Sequence, residues 1–391
     1  MISVTEALAQ IFALLKSLET EIVPLREAAG RVLAKSVVAE RDQPPFNASV
    51  MDGYGVSDAA PAPGDEFNVV GESAAGHAFG RSISTGEAVR IFTGAPVPEG
   101  VERVIIQEDV TRDGDLVSVS SDIDSSLYIR RKGADFNEGD AFQPRRRLGA
   151  ADLSLIAAMN HSEIRVYRRP KVALIATGDE LVMPGETPAD DQIISSNTFG
   201  LAAIIEAAGG CAQVLPIARD NVESLLTAFE LAASADLIVA IGGASVGDHD
   251  LVGKVAGDLG MERAFHNVAM RPGKPLMAGL LGNTPMIGLP GNPVSSLVCG
   301  HIFISPALDV LQGLTAQPLP RRSLPLSTSV NANGSREHYM RAVISHNEVR
   351  AFGRQDSALL SVLSTSNALI VRAPNDEPRL AGDMVEVIDL P

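Results

Sequence analysis

The sequence predicts a multidomain protein of the α/β plus β class: a central three-layer α/β domain, a β-rich domain ahead of it and a small C-terminal β domain. Three observations predict this. After Pro170, apolar runs of strand length alternate with helical patterns, the signature of a parallel sheet covered on both faces. Residues 37–145 are rich in Pro, Gly, Asp and Ser, with short apolar pieces such as "FNVVGE", "AVRIFTG" and "RVIIQEDV", which read as short strands joined by turns. A Pro-rich stretch, "TAQPLPRRSLP" (315–325), then leads into alternating runs such as "LIVRAP" and "MVEVIDL". The 391 residues have room for two to four domains at roughly 100–200 residues each.

In order, the chain opens with an amphipathic helix. Ser3 and Glu6 have capping-box spacing, and Ala7, Leu8, Ile11, Leu14, Leu15 and Leu18 recur at helical intervals. "LREAAGRVLA" (25–34) predicts a second short helix, and "LGAADLSLIAAMN" (148–160) another. Residues 1–36 and 146–169 are therefore expected to form a helical, linking unit around the β-rich domain of 37–145. Residues 170–316 carry the α/β pattern. "KVALIAT" is a strand, and "NTFGLAAIIEAAGG" a helix opened by Asn197 and closed by glycines. "CAQVLPI" is a strand, "NVESLLTAFELAAS" a helix capped by Asn221, and "DLIVAIGG" a buried strand. "HNVAM", "PLMAGLL" and "TPMIGLP" predict further strands, and a long helix (about 293–312) follows the turn "PGNP". Residues 317–391 complete the C-terminal β domain.

Composition narrows the function. With 32 basic and 48 acidic residues the net charge is −16, which disfavours nucleic acid and anionic membranes as partners. There is no Trp, and 4% of residues are aromatic, so stacking platforms for single strands are not expected. The N-terminal stretch lacks a signal-peptide pattern and no apolar run reaches membrane-spanning length, so a cytoplasmic protein is expected. Cys211 and Cys299 lie far apart without metal-ligand spacing and read as buried structural thiols.

The chemistry-bearing stretches follow predicted strands: "ATGDEL" (176–181), "IGGASVGDHD" (241–250), "MRPGKP" (270–275) and "LPGNPVSS" (289–296). In an open α/β sheet such loops gather at the carboxyl edge, where ligands bind. Glycine turns and the helix start at residue 293 offer backbone N–H groups for phosphate or carboxylate. Ser245, Ser295 and Ser296 add hydroxyls. Arg271 and Lys274, stiffened by Pro272 and Pro275, supply positive charge in an acidic protein. Asp179, Glu180, Asp220, Asp248 and Asp250 supply oxygen ligands for Mg²⁺, or acceptors for the N–H groups of a heterocycle. Taken singly, Asp179 or Asp220 suits a turn or cap, and Lys274 a solvated surface. No G-x-x-x-x-G-K-[ST] loop and no strand-turn-helix G-x-G-x-x-G stretch is present, which weakens ATPase and dinucleotide readings.

In the β-rich part, "PPFNASVMDGYGV" (44–56), "FTGAPVPEG" (92–100) and "RRKGADFNEGD" (130–140) stand out. With "VALIATGDEL", "GGASVGDHD", "RPGKP" and "GLPGNPVSS" they run, in order and over nearly the whole chain, in a pattern that resembles the molybdopterin molybdenumtransferase family, also called MoeA. That family is similar to the C-terminal domain of gephyrin.

The resemblance implies an enzyme that inserts molybdate into adenylylated molybdopterin with Mg²⁺, forming molybdenum cofactor and releasing AMP. It implies a homodimer whose cleft lies between the molybdopterin-binding α/β domain of one subunit and the β lid of the other. Contacts with the molybdopterin adenylyltransferase and with recipient apoenzymes are also implied. Residue by residue, Asp52, Thr93 and Asp135 match lid positions. Glu180, Asp220 and Asp250 match acidic cleft positions, as Mg²⁺ ligands or pterin acceptors, and Lys274 completes the catalytic set. Gly242, Gly243, Ser245, Gly247, Pro290, Gly291, Asn292 and Ser295 match ligand-binding loops, Arg271 an oxyanion contact, and Arg341 ("REHYMRA") and Ser357 ("QDSALLS") C-terminal positions. Arg271 departs from the lysine of family relatives; it keeps the charge and adds a planar fork. Ala244 stands where valine is common. The alternatives are a molybdopterin adenylyltransferase and a noncatalytic scaffold.

Overall fold

Four strands of the central sheet run parallel, but the sheet as a whole is mixed. A computed structural model describes residues 1–120, 123–243 and 251–391. In it the strand order is Cys211–Val214, Lys171–Ala176, Leu237–Ile241, Thr284–Leu289, Met277–Leu281, Glu262–His266. The first four are parallel. The last two join antiparallel, against the all-parallel expectation. The cause is local: Met277–Leu281 and Thr284–Leu289 are separated by two residues, enough for a hairpin and too few for a crossover.

Period-two patterning assigns the two faces. Val172 and Leu174, with Leu237, Val239 and Ile241, pack under the helices Asn197–Ala207, Pro293–Cys299 and Ser305–Leu311. Ala173 and Ile175, with Ile238 and Ala240, pack under the helices Val222–Leu231 and Leu251–Asp258. The result is three layers around one sheet.

The helical rod from Pro293 to Leu311 contains a widened π segment, Gly300–Ile304, just ahead of Pro306. Proline has no N–H for the carbonyl four residues back, and the wider turn is a common accommodation of such a break. By length and composition this 19-residue rod could cross a membrane, which corrects the expectation that no apolar run reaches that length. Its most apolar window is 72% buried in the fold, as core.

The first helix, Val4–Leu14, has its capping box: Ser3 N–H donates to Glu6 Oε2 (2.8 Å) and Glu6 N–H to Ser3 Oγ (3.1 Å). Its apolar stripe, Val4, Ala7, Leu8 and Ile11, enters the α/β core. The helix expected at 25–34 is instead a single 3-10 turn, Leu25–Glu27. Gly30 takes φ +73°, and the chain then runs alongside Glu163–Tyr167, with Leu33 bridging Val166. Tertiary pairing overrides a weak helical pattern there. Thr20–Pro24 pairs antiparallel with the same strand.

The β-rich segment forms a six-stranded sheet in the order Arg103–Ile106, Gly53–Val56, Glu87–Ile91, Glu66–Ser73, Leu116–Val119, Val110–Asp113. Two-residue ladders, Val37–Val38 with Ala141–Phe142 and Ala48–Ser49 with Ile129–Arg130, lead to it. At the other end, Glu337–Ser345, Ala368–Arg372, Met384–Asp389 and Arg322–Pro325 pair antiparallel in sequence, closing a small sheet over its own core. Its opposite face, through Tyr339, Leu369, Val371 and Ile388, joins the α/β core. "HNVAM" is not a strand of the central sheet: the chain leaves it after His266, and Met270–Arg271 pairs with Glu337–Ser345.

Cys299 is buried as expected, and burial pushes its thiol pKa up. Cys211 is exposed at the start of the edge strand Cys211–Val214, against the expectation of a buried thiol.

Candidate functional site

The loops at the carboxyl ends of the parallel strands enclose a cavity of about 540 Å³. Glu180, Asp220, Gly242, Gly243, Pro290, Gly291 and Asn292 all line it, joined by Thr177, Ser195, Ser196 and Asn197. Local geometry explains why these residue types stand here. Gly242 has φ +91°, and a Cβ on it would lie 2.9 Å from the Thr177 carbonyl oxygen. A Cβ on Gly291 would come within 3.6 Å of the Gly242 Cα, so the two turns pack backbone to backbone. Ser296 is fully buried in the helix after "PGNP" and donates its hydroxyl to the Pro290 carbonyl. Asn197 does not cap its helix; it donates to the Gly291 carbonyl (2.7 Å), tying the helix start to the glycine turn. Asn221 does cap the next helix, accepting from Ser224 N–H (2.9 Å).

Asp179 is a turn residue: its Oδ1 accepts the Asp220 N–H (3.1 Å). The exposed Glu180 and Asp220 carboxylates make no ion pair among the described residues, and both face the cavity. No cluster of three or more His, Cys, Asp or Glu side chains suited to a metal occurs among the described residues. Two carboxylates fit Mg²⁺ better than a transition metal, because Mg²⁺ is commonly held by one or two carboxylates, substrate phosphate and water. Ser245, Gly247 and Asp250, and the variant position Ala244, lie outside the described residues.

The basic pair is divided. Arg271 lines a second cavity, of about 580 Å³, between the 270 loop and the C-terminal sheet, with Asn331, Asn333, His338, Gln355, Asp356 and Arg372. Pro275, four residues on, lines the first. Lys274 is exposed and lines neither; its carbonyl accepts from Val268 and Leu276. Neither cationic side chain has an ion-pair partner among the described residues. Ser357 links the cavities: its hydroxyl accepts from Asn292 Nδ2 (3.2 Å), its carbonyl from Val294 N–H (3.1 Å), and its neighbour Asp356 lines the second cavity.

Two expected contact residues sit behind the surface. Ser295 is 4% exposed inside its helix, which turns it toward the core. Arg341 is 1% exposed and donates to Gln355 Oε1 (3.2 Å) and the Asp356 carbonyl (2.7 Å), so it braces the 355–357 loop. Burial holds its pKa below the usual arginine value, against the pull of Asp356.

The predicted lid residues lie apart from both cavities. Thr93 donates its N–H (2.7 Å) and hydroxyl (2.8 Å) to Asp52 Oδ1, joining two motifs that lie 41 residues apart. Those two bonds, with Arg90 nearby, hold the Asp52 carboxyl below its ordinary pKa. Arg90 lies over both Tyr54 (5.0 Å) and Phe92 (4.8 Å). Asp135 is exposed in the turn after Ile129–Arg130. No hydrogen bond or ion pair joins residues 37–145 to 170–391 among the described residues.

These features coincide with sequence relatives along the whole chain. The N-terminal region of MoeA (domains I and II) matches residues 2–160, the probable molybdopterin binding domain 173–310, and the MoeA C-terminal region (domain IV) 323–390. The molybdopterin molybdenumtransferase of Nostoc sp. is 33% identical over all of this chain and 94% of its own length. The chain belongs to the molybdopterin molybdenumtransferase family. Molybdopterin molybdenumtransferase 2 of Mycobacterium tuberculosis is 34% identical, with both chains covered fully. A crystal structure of a molybdopterin biosynthesis MoeA protein from Pyrococcus horikosii superimposes with a TM-score of 0.84 at 28% identity, covering 100% of this chain and 99% of that one. In this member of the family, Arg219, Asn197 and Ser296 carry the cavity loops, yet the motifs alone did not single out Arg219 or Asn197. The signal available was adjacency: Arg219 precedes Asp220, and Asn197 follows two serines at a helix start.

One pH effect arises directly. Burial and the nearby Arg271, Arg341, Arg372 and Arg336 push His338 down to about 4, and burial alone pushes His301 to about 4. The ordinary histidine value is about 6.5, so between these values the unfolded chain binds more protons than the folded one. Stability should be intact above pH 6.5 and fall as the pH drops toward 4, by on the order of 3 kcal/mol per histidine. Melting temperatures measured from pH 7.5 to 4.5 check this, and a His301→Gln/His338→Gln variant should show a shallower decline.

Proposed function

We propose that this protein inserts molybdate into the dithiolene of adenylylated molybdopterin, releasing AMP. The observation that carries this reading is the junction of two unlike cavities across the Arg271–Pro275 turn and the Asn292–Ser357 contact. The first offers glycine backbone and two free carboxylates, which suits a pterin, its phosphates and a divalent cation. The second gathers arginines in a protein of net charge −16, which suits an oxyanion. Glu180 and Asp220 would hold Mg²⁺, with Asp250 as a further ligand, and the ion would offset charge on the phosphates. Arg271 would receive molybdate in the second cavity, with Lys274, exposed on the turn between the two cavities, as a further cation for it; the backbone of Gly242, Gly243, Gly291 and Asn292 would seat the ligand, and Ser357 would fix the Asn292 loop. In the net reaction the two dithiolene sulfurs replace an oxygen of molybdate, which leaves with the two thiol protons as water, and one water is consumed in cleaving the phosphoanhydride bond that frees AMP.

The lid enters as a partner-subunit surface in a homodimer. Asp52 and Thr93 present a fixed carboxylate away from their own chain's cavity, while Ile193 and Ile194 at that cavity's rim are 58% and 39% exposed. Light scattering at micromolar concentration should give twice the 41.0 kDa chain mass; a monomer mass would refute the shared cleft.

Incubation with adenylylated molybdopterin, molybdate and Mg²⁺ should yield AMP and molybdenum cofactor. Absence of AMP would favour the scaffold alternative, and consumption of ATP with molybdopterin the adenylyltransferase. Lys274→Ala should raise the apparent constant for molybdate about tenfold to a hundredfold, from the roughly 1.5–3 kcal/mol of a charge-assisted hydrogen bond. Its melting temperature should be unchanged because the side chain is exposed and has no ion-pair partner among the described residues. Steady-state rates against molybdate concentration decide it, and an unchanged molybdate dependence removes Lys274 from the site.

A further inference from the structure

We infer that Arg219 is a positioning residue that sets the two cavity carboxylates against each other, an inference that rests on the reading of the first cavity given above. Arg219 does not line that cavity. Its Nη1 reaches across to the neighbouring loop and donates to the carbonyl oxygens of Leu181 (3.0 Å), Asp179 (3.1 Å) and, more weakly, Gly178 (3.4 Å). Its own backbone N–H donates to Ser224 Oγ (2.9 Å), in the first turn of the helix Val222–Leu231, so the root of the side chain is anchored to a regular element.

The two loops leave different strands. Their remaining ties are the parallel Thr177–Ala218 bridge, the Gly178 N–H to Ala218 carbonyl bond (3.1 Å) and the Asp220 N–H to Asp179 Oδ1 bond. Carbonyls turned toward one point repel each other as dipoles unless a donor or cation gathers them. Arg219 does so immediately beside both acids: Glu180 lies between two of the bonded carbonyls, and Asp220 is the next residue in the chain. The guanidinium makes no ion pair with Asp179, Glu180 or Asp220 among the described residues, so it organises the loop while leaving the carboxylates free for a ligand.

The full-length chain carrying Arg219→Ala or Arg219→Lys tests this, with Mn²⁺ as the probe, its binding in the presence of AMP followed by electron paramagnetic resonance. Arg219→Ala should weaken Mn²⁺ binding by on the order of tenfold to a hundredfold, the range seen when support behind a metal ligand is lost. It should also raise the Mg²⁺ concentration needed for AMP release, with the molybdate constant unchanged. Lysine, whose ammonium has three donors, should restore most of the binding. Unaltered Mn²⁺ binding in Arg219→Ala overturns the inference. So does a loss that follows a fall in melting temperature and is not rescued by lysine. A Glu180→Gln/Asp220→Asn control separates the levels: wild-type Mn²⁺ binding there refutes the reading of the cavity itself, whereas loss there with none in Arg219→Ala refutes only the role of Arg219.

Discussion

Asp220→Asn is expected to lower turnover with adenylylated molybdopterin by about a hundredfold or more, with the melting temperature essentially unchanged. The amide keeps the size of the side chain and removes its charge. Among the described residues no hydrogen bond or ion pair uses that charge: the loop is held by the Asp220 N–H, donated to Asp179, and by Arg219, while the side chain faces the cavity. Disturbing the support behind a metal ligand already costs about 10- to 100-fold in affinity or activity, so loss of a ligating carboxylate belongs at or above the top of that range. The defect should ease at high Mg²⁺ if the residue binds the ion, and persist if it accepts a pterin N–H. Rates measured across Mg²⁺ concentration, with a melting curve on the same sample, check both. Full activity at limiting Mg²⁺ would remove Asp220 from the proposed role.

Gly242→Ala should damage both stability and activity. The residue sits at φ +91°, where an L side chain is strained by about 1–3 kcal/mol. Its new Cβ would also meet the Thr177 carbonyl oxygen at 2.9 Å and the Thr177 Oγ1 at 3.0 Å. The carbonyl is backbone next to the central strand Lys171–Ala176 and has little freedom to withdraw. A melting temperature lower by several degrees is expected, at roughly 2–4 °C per kcal/mol for a domain of this size. Turnover should fall further than folding explains, because the displaced turn is cavity wall. The contrast with Gly257, where an added Cβ meets nothing within 4 Å, supplies a control: Gly257→Ala should melt at or above the parent temperature. Equal behaviour of the two variants would refute the argument from close approach.

Much of the architecture is legible in the sequence, because it is written in local patterns. Short continuous apolar runs separated by helical patterns specify strands sandwiched between helices, and the two-residue repeat of a strand sends Val172 and Leu174 to one face and Ala173 and Ile175 to the other. The capping box at Ser3 and Glu6 and the cap at Asn221 involve neighbours three residues apart, so the sequence alone contains the whole interaction. The placement of glycine loops after strands likewise marked the cavity, since loops at the ends of parallel strands necessarily emerge at one edge.

Tertiary structure decided what depends on partners far apart in the chain. Whether a strand joins parallel or antiparallel is a property of the sheet, so "PLMAGLL" reads as one more parallel strand, whereas Met277–Leu281 runs antiparallel to both of its neighbours. The departure of Met270–Arg271 to the C-terminal sheet placed Arg271 in a cavity that its near neighbour Lys274 does not line. Asp52 and Thr93 were each legible as motif residues, but their mutual bond needed two turns of a folded sheet. Arg341 and Ser295 carried polar labels that said nothing of burial; the strand and helix around them turned one into a brace and the other into core. Arg219 lacked any motif at all, because three carbonyl oxygens have no residue identity for a sequence to display. Residue type and short spacing therefore determined which loops could hold a ligand. Only the packing of strands distant in sequence decided which side chains face it, because burial and hydrogen-bond partnership are set by neighbours in space.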